Sequence, residues 1–311
     1  MSTPNLAGVL PVVHTPFESG GEINWLILRR EVDWAFSVGA DGVVAAMVSE
    51  VLRLTIDERM QLAERLLEAT DGRGPVVTSV GAEYTRQAIE LTQHAQRSGC
   101  GAVMAIPPVG ARLSEAQTLS YFCEIAESTD LPLIVQDASS YVGGAMSIDL
   151  FIQLLDRFGP DKILFKPEAA PIGPNLSLLR DRSDGRAKIF DGSGGIYLID
   201  AYRRGIVGTI PGVDLLDGVV ALWRALKRSD DEVAYRVYFP ICAIVTLQIQ
   251  AGLDGFLAIE KYLLVRRGIF TDPSRRRPYA WDLDEETRRE VDRLYEHLQT
   301  TLQSCQFPLP T

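Results

Sequence analysis

The stretch ILFKPE, Ile163 to Glu168, joins a strongly apolar segment to two charged residues. An unbroken run of Ile, Leu and Phe is typical of a strand that is covered on both faces, as in a parallel sheet flanked by helices. Lys166 follows this run directly, and Glu168 comes two residues later. Lysine is rarely buried unless it is paired, so this position predicts a specific chemical task for Lys166.

Apolar segments similar to this one recur along the chain and alternate with amphipathic segments. Eight of them, each followed by a helical segment, predict eight parallel strands joined by crossover helices. Their starts are placed at Gly8, Asp41, Pro75, Gly101, Leu131, Lys162, Ala187 and Gly205. Eight such units in about 225 residues fit a (β/α)8 TIM barrel. An open doubly wound sheet is the alternative, but no G-x-G-x-x-G motif follows the first strand.

The part of the chain after the eighth unit contains helical patterns only. We therefore predict two regions, a (β/α)8 barrel over residues 1–227 and a C-terminal helical region over residues 228–311. The helical region is expected to pack on the barrel or on a neighbouring subunit.

Composition narrows the class of protein. The chain has 311 residues, of which 46% are apolar, and a formal net charge of -10. Such an acidic chain argues against nucleic acid as a partner, because that partner requires a basic surface. No apolar run reaches the roughly 18 residues of a membrane span, and the N-terminus lacks the features of a signal peptide. We expect a soluble cytoplasmic protein with reduced cysteines and no membrane partner.

Lys166 lies at the predicted C-terminal end of the sixth strand, where the active sites of barrels are built. Side chains alternate along a strand, so Lys166 and Glu168 point to the same side, which Leu164 shares. Burial lowers the pKa of a lysine, and a neutral amine condenses with a ketone to give a Schiff base. Glu168 is then placed to take a proton from the neighbouring carbon. A solvated ion pair at the barrel rim is the alternative interpretation.

Several stretches resemble the dihydrodipicolinate synthase and N-acetylneuraminate lyase superfamily, the pyruvate-type class I aldolases. They include GVLPVVHTPF from Gly8, DGVVAAMVSEVLRLTIDER from Asp41, ILFKPE from Ile163 and RRGIVGTIPG from Arg203. The resemblance implies a (β/α)8 barrel with a C-terminal helical bundle and a Schiff-base lysine at Lys166. It also implies a small 2-keto acid substrate and a homo-oligomer, either a tetramer or a dimer. No clustered histidine or carboxylate pattern predicts a metal, and no cofactor is expected.

The resemblance also assigns substrate contacts. Where the family has G-T-T-G-E to hold the substrate carboxylate, this chain has AMVSE at 46–50, with backbone N–H groups and the Ser49 hydroxyl as the remaining donors. FDGSGG, after the seventh strand, is either a cradle for an anion or a plain strand-to-helix turn. The predicted substrate-binding residues are Met47, Val48, Ser49, Ser193, Gly194 and Ile210.

Three further positions depart from the family pattern. Gln136 stands where the family has a tyrosine that relays protons at the Schiff base, and glutamine cannot act as an acid or base. Tyr141 stands where the synthases have an arginine, and Val109 lies near the place of an aromatic residue donated by a neighbouring subunit. His14 is expected to be a hydrogen-bonded histidine beneath the site.

A glutamine combined with Lys-x-Glu resembles the sugar-acid dehydratase branch, such as 2-keto-3-deoxy-L-arabinonate dehydratase. The predicted function is therefore dehydration of a 2-keto-3-deoxy sugar acid, with Lys166, Glu168 and Gln136 as catalytic residues. Lys166 forms the imine, Glu168 is the base and then the acid, and Gln136 orients the substrate by hydrogen bonds. A pyruvate-dependent aldolase, or a condensation like that of dihydrodipicolinate synthase, is the near alternative. A ligand-binding or regulatory barrel without turnover is the alternative from another class.

Overall fold

The strands of the protein follow one another with a helix between each pair. The computed structural model describes residues 6–305 and 307. In this part of the chain, eight strands alternate with the first eight of eleven helices. The strands are β1 (Gly8–Val9), β2 (Val43–Ala45), β3 (Val76–Ser79), β4 (Ala102–Ala105), β5 (Leu133–Asp137), β6 (Ile163–Pro167), β7 (Phe190–Asp191) and β8 (Gly208–Thr209).

In six of the eleven helices, the side chain of the residue before the first turn accepts a hydrogen bond from a free backbone amide of that turn. The eleven helices are α1 (Trp25–Val38), α2 (Ile56–Thr70), α3 (Thr85–Ser98), α4 (Glu115–Glu127), α5 (Ile148–Phe158), α6 (Ile172–Arg182), α7 (Leu198–Arg203), α8 (Leu216–Lys227), α9 (Asp231–Ile249), α10 (Gly252–Arg266) and α11 (Glu285–Ser304). At α2, the Thr55 side chain accepts from the Glu58 amide and the Glu58 side chain accepts from the Thr55 amide. This reciprocal pair of hydrogen bonds is a capping box.

The strands pair in parallel and close on themselves. β2 to β6 form one sheet, and β1, β8 and β7 form another. Single bridges from Val12 to Val44 and from Phe165 to Ile189 join the two sheets at both seams. The predicted (β/α)8 TIM barrel is thereby confirmed, and the C-terminal ends of all eight strands meet at one mouth.

The interior of the barrel and the layer between strands and helices form separate apolar clusters. Leu164 belongs to the interior, whereas Phe165 packs outward on Phe151 of α5, with ring centroids 5.2 Å apart. The predicted alternation along the sixth strand is confirmed, so Lys166 continues the inward-facing series. The buried interior residues are Leu6, Leu10, Val12, Val44, Ala46, Val77, Ala102, Met104, Ile134, Leu164, Phe190 and Ile210.

Helix α9 is the central element of the C-terminal helices. It contacts α8, α10 and α11. By length and mean hydropathy it also qualifies as a candidate membrane span, the one such helix within residues 6–305 and 307. Its contacts with three neighbouring helices account for part of this apolar composition, because residues such as Val237, Ile241 and Ile244 are fully buried.

Helix α10 lies across the mouth of the barrel and is fixed there by buried charges. The Lys261 ammonium is fully buried, pairs with Glu50 after β2 and donates to the carbonyl of Thr15 at 2.8 Å. Glu260, the residue before Lys261 on the same helix, has its carboxylate 2.8 Å from His14 Nε2. The C-terminal helices are therefore joined to the loops after β1 and β2 by ionic contacts that water does not reach.

We expect Lys261→Met to lower the free energy of unfolding by about 3–5 kcal/mol, because the buried Glu50 carboxylate would lose its directly paired cation and keep only Arg53, 3.8 Å away. Urea denaturation of both proteins measures the difference. Arg65→Ala is the control, since Arg65 and Glu68 form an ion pair with 51% and 60% of their side chains exposed. Its loss should cost less than about 1 kcal/mol. Equal losses in the free energy of unfolding for the two substitutions would contradict a structural role of the buried pair of Lys261 and Glu50.

Candidate active site

Lys166, Glu168 and Gln136 meet at the mouth of the barrel. Gln136 of β5 is the register partner of Lys166 on β6. Glu168 Oε2 accepts from Lys166 Nζ and from Gln136 Nε2, both at 2.7 Å. Glu168 Oε1 is buried and has no hydrogen-bond partner among the described residues. The structure thus brings the three predicted catalytic residues into one contact group.

This group is enclosed rather than solvated. Lys166 is 5% exposed, and Glu168 and Gln136 are each 3% exposed. The alternative of a solvated ion pair at the rim is therefore wrong. Burial raises the pKa of Glu168, while Lys166 and the hydrogen bond from Gln136 oppose that rise. A carboxylate with a raised pKa and one free oxygen is suited to take up a proton.

Gly192, directly after β7, allows the backbone to approach the ion pair. A Cβ atom at this position would lie 2.5 Å from Lys166 Nζ and 2.5 Å from Glu168 Oε1. Such distances are far below van der Waals contact, so any larger residue would displace the pair. In the glycine-rich stretch after β7, the first glycine is therefore needed because the backbone there lies against the side chains of Lys166 and Glu168.

Two adjoining cavities open at this point. The smaller, of about 40 Å³, contains Lys166, Gln136 and Glu168 in its wall, and Leu253 and Phe256 of α10 also line it. The larger, of about 480 Å³, continues outward and shares Tyr141, Glu168 and Phe256 with the first. Met47, Val48 and Ile210 line the small cavity, in keeping with their predicted contact with substrate. No pattern in the sequence predicted that α10 would cover this cavity.

Ser49 has another task than the predicted one. It is fully buried, its hydroxyl donates to the Val13 carbonyl, and its oxygen accepts from the Ala46 amide at 3.0 Å. These bonds fasten the turn that follows β2 to the segment that follows β1. The expected hydroxyl contact with substrate is corrected accordingly, because the donor is already used within the fold.

The two predicted residues after β7 lie in different surroundings. Ser193 lines the larger cavity, and its hydroxyl accepts from the Tyr197 amide at 3.0 Å. Gly194 has a φ of +67°, a Cβ atom there would meet Val245 and Phe256, and Gly194 lines neither cavity. A direct substrate contact of Gly194 is therefore corrected to a turn residue, since only glycine adopts this φ readily.

Tyr141 and Val109, the two other positions that depart from the family pattern, lie in different places. Tyr141 lines the small and the large cavity, although the sequence assigned it no function beyond replacing an arginine. Val109 is 38% exposed, and its amide donates to Glu83 at 2.7 Å. Only Tyr141 of these two lies in the walls of the cavities beside Lys166.

His14 lies beneath the mouth, as expected of a hydrogen-bonded histidine. Its Nδ1 lies 2.9 Å from Glu31 and its Nε2 lies 2.8 Å from Glu260. Burial alone would lower the pKa of His14, but the hydrogen bonds to both carboxylates raise it to about 10. No cluster of three potential metal ligands occurs within residues 6–305 and 307.

Comparisons with known proteins relate nearly the whole chain to one enzyme family. The profile of the dihydrodipicolinate synthetase family matches residues 5–297. The chain is 30% identical over 298 residues to an L-2-keto-3-deoxyarabonate dehydratase of Azospirillum brasilense, covering 93% of this chain and 94% of that protein. It is 32% identical over 151 residues to a 4-hydroxy-tetrahydrodipicolinate synthase of Oceanobacillus iheyensis, covering 48% and 51%. The crystal structure of dihydrodipicolinate synthase from Rhodopseudomonas palustris has a TM-score of 0.86 at 26% identity, covering 95% and 99%.

We expect Gly192→Ala to suppress the reaction of Lys166 with a ketone, because the added methyl group overlaps Lys166 Nζ and Glu168 Oε1. The measurement is borohydride trapping of pyruvate, read as added mass on the peptide that contains Lys166. Gly144→Ala is the matched control, since a Cβ at Gly144 meets no atom within 4 Å. Undiminished trapping in Gly192→Ala would show that the pair tolerates displacement.

Proposed function

The chain belongs to the dihydrodipicolinate synthetase family of lyases, and we propose that it dehydrates a 2-keto-3-deoxy sugar acid through an imine on Lys166. The observation that carries this proposal is the enclosed group of Lys166, Glu168 and Gln136. It supplies an amine for a ketone, a base with one free oxygen and a donor that does not titrate. The dehydratase of Azospirillum brasilense, similar along nearly the whole chain, supports the same reaction type.

The steps follow from these positions. Lys166 Nζ attacks the C2 ketone, and loss of water leaves an iminium that draws electrons from C3. Glu168 Oε1 takes a C3 proton, and the electron pair of that bond forms the enamine. The enamine then expels the C4 hydroxyl, which leaves as water after it gains a proton. Hydrolysis of the resulting unsaturated imine returns Lys166 and releases the keto acid.

The turn after β2 is placed to receive the substrate carboxylate. Met47 and Val48 lie at its start and line the small cavity. The turn ends at Glu50, which has a φ of +58°, a strained value for a residue other than glycine. Lys261 and the Arg276 amide hold the Glu50 carboxylate and so maintain this conformation. Backbone N–H groups at Met47 and Val48 thereby replace the threonine hydroxyls that the family usually has.

The charge of the mouth favours a substrate with a single carboxylate. Tyr141 occupies the position at which the synthases have an arginine, and Arg204, a cation in the wall of the larger cavity, is already paired with Asp200 at 2.8 Å. Glu168 and Asp191 are both buried at the ends of neighbouring strands and would repel a dianion. A sugar acid, with hydroxyl groups at its far end, suits this environment better than an intermediate that carries two carboxylates.

A pyruvate-dependent aldolase is the second candidate. The observation in its favour is the cavity of about 480 Å³ beside Lys166, which has room for an aldehyde partner. Such an enzyme would use the same imine but form or break a carbon–carbon bond.

Assembly as a homo-oligomer and a cytoplasmic location stay predictions. Apolar side chains exposed on or beside α7 and α9, among them Tyr197, Phe239 and Ile249, are consistent with assembly.

We expect Lys166→Arg to abolish borohydride trapping of 2-keto acids, because a guanidinium stays protonated and cannot condense with a ketone. The parent protein is also tested for product formation over a panel of 2-keto-3-deoxy acids. Pyruvate with aspartate semialdehyde is the comparison reaction, and its condensation should be weak. Trapping that survives Lys166→Arg removes the imine from Lys166. Trapping without any turnover indicates a binding barrel instead of an enzyme.

We expect Glu168→Gln to lower turnover by about 10²–10⁴-fold while imine trapping persists, because only the proton-transfer group is lost. The base must be ionised, so kcat/KM falls as the pH is lowered through the pKa of Glu168. Burial raises this pKa, which moves the acid limb above the range of an ordinary glutamate. A pH profile of kcat/KM measures the limb. If the limb is the same in Glu168→Gln, another group titrates.

A further inference from the structure

The loop that follows β5 is fastened to β6 beside the ion pair. Asp137 Oδ1 accepts from the Ser139 amide at 2.9 Å, and Asp137 Oδ2 accepts from the Met146 amide at 2.7 Å. The Ser140 hydroxyl donates to the Glu168 carbonyl, and the Glu168 amide donates to the Asp137 carbonyl at 3.0 Å. The residue between these attachments, Tyr141, is consequently held next to Glu168.

The ring of Tyr141 has a defined orientation. It packs edge-on against Phe256 of α10, with ring centroids 5.6 Å apart and an interplanar angle of 80°. Its amide donates to the Ala138 carbonyl at 2.8 Å, which closes the turn beneath it. Tyr141 lines both the cavity around Lys166 and the larger cavity beyond it. It therefore stands at the point where a substrate bound to Lys166 would extend outward.

Tyr141 and Glu168 both lie in the walls of the two cavities. Burial raises the pKa of Tyr141 well above its usual value, and the charges of Glu168, Glu260 and Asp191 raise it further. The phenol therefore keeps its proton throughout the neutral range. No hydrogen bond of its hydroxyl is found among residues 6–305 and 307, and Tyr141 lines both cavities, so its proton is available to a bound molecule.

Dehydration moves two protons, one from C3 to Glu168 and one to the departing C4 oxygen. Oε2 of Glu168 is occupied by Lys166 and Gln136, which leaves Oε1 alone for proton transfer. Oε1 is used at C3, whereas the departing C4 hydroxyl needs a proton donor at the same stage. Gln136 cannot supply a proton at neutral pH, because an amide does not ionise there.

We propose that Tyr141 is a catalytic residue, the donor that protonates the departing C4 hydroxyl of the substrate. This inference rests on the proposed function, since it concerns the elimination step of that reaction. The proton donor thus lies on the loop after β5, at Tyr141, and not on the strand, where Gln136 occupies the position of the family tyrosine.

The protons and electrons of the step balance. Glu168 Oε1 holds the proton from C3, and the enamine nitrogen pushes its electron pair toward C3. The C3–C4 double bond forms as the C4–O bond breaks, and the oxygen leaves as water with the proton of Tyr141. The proton on Glu168 then returns the phenolate to phenol. The net change is the loss of one water molecule, with no oxidant or reductant.

Tyr141→Phe separates this step from the steps before it. Pyruvate lacks a C4 hydroxyl, so exchange of its methyl protons in D2O requires only the imine and the base. We expect Tyr141→Phe to exchange pyruvate at the rate of the parent protein, as followed by proton NMR. Its dehydration of a 2-keto-3-deoxy acid should fall by about 10²–10⁴-fold. Lys166→Arg should lose both reactions.

Tyr262→Phe is the matched control, because its hydroxyl bonds Asp292 on α11 and lies outside both cavities. It should keep both rates. Normal dehydration by Tyr141→Phe would overturn the proposal, and so would a parallel loss of exchange and dehydration, which indicates a structural role. If the unaltered protein neither exchanges pyruvate nor dehydrates any acid of the panel, the proposed function itself fails.

Discussion

The buried ionic contacts of α10 determine the shape of the site. Lys261 pairs with Glu50 without any exposure of either side chain, and Glu260 with Glu31 encloses His14. Buried ion pairs contribute little net stability, because the cost of removing both charges from water offsets their attraction. Their effect here is on position. They fix α10 so that its apolar residues cover Lys166, and they hold the strained turn at Glu50 against the end of β2.

Enclosure by α10 determines the electrostatics beneath it. Charges interact more strongly where water is excluded, so the contact between Lys166 and Glu168 is stronger than the same contact at a surface. An unpartnered polar atom is also costly in such a place. Glu168 Oε1 is one of the few buried side-chain atoms without a partner in the described part of the chain. Cavities beside it suggest that a substrate atom, rather than the protein, satisfies this oxygen.

Local periodicity made part of this site predictable. Alternation along ILFKPE placed Leu164, Lys166 and Glu168 on one face, because the side-chain period of a strand is fixed by its geometry. Ser49 was assigned to substrate because its true partner, the Val13 carbonyl, lies 36 residues away in the sequence. The cover from Phe256 was missed for the same reason, since the docking of α10 depends on distant charges. Short-range patterns predict elements and faces, whereas long-range contacts decide which polar groups remain free.

The two residues at the mouth that differ from the family pattern, Gln136 and Tyr141, affect the protonation of neighbouring groups in complementary ways. Gln136 touches Glu168 from the strand next to it, where a titrating group would compete with the carboxylate for its proton. With an amide there, Glu168 has a cation and a neutral donor as partners, and both favour its ionised form. Tyr141 faces carboxylates instead, and these favour its protonated form. Environments that separate the proton affinities of two neighbouring groups create one base and one acid. In the proposed reaction the base, Glu168, follows β6 and acts at the C3–H bond, whereas the acid, Tyr141, lies on the loop after β5 and acts at the C4–O bond.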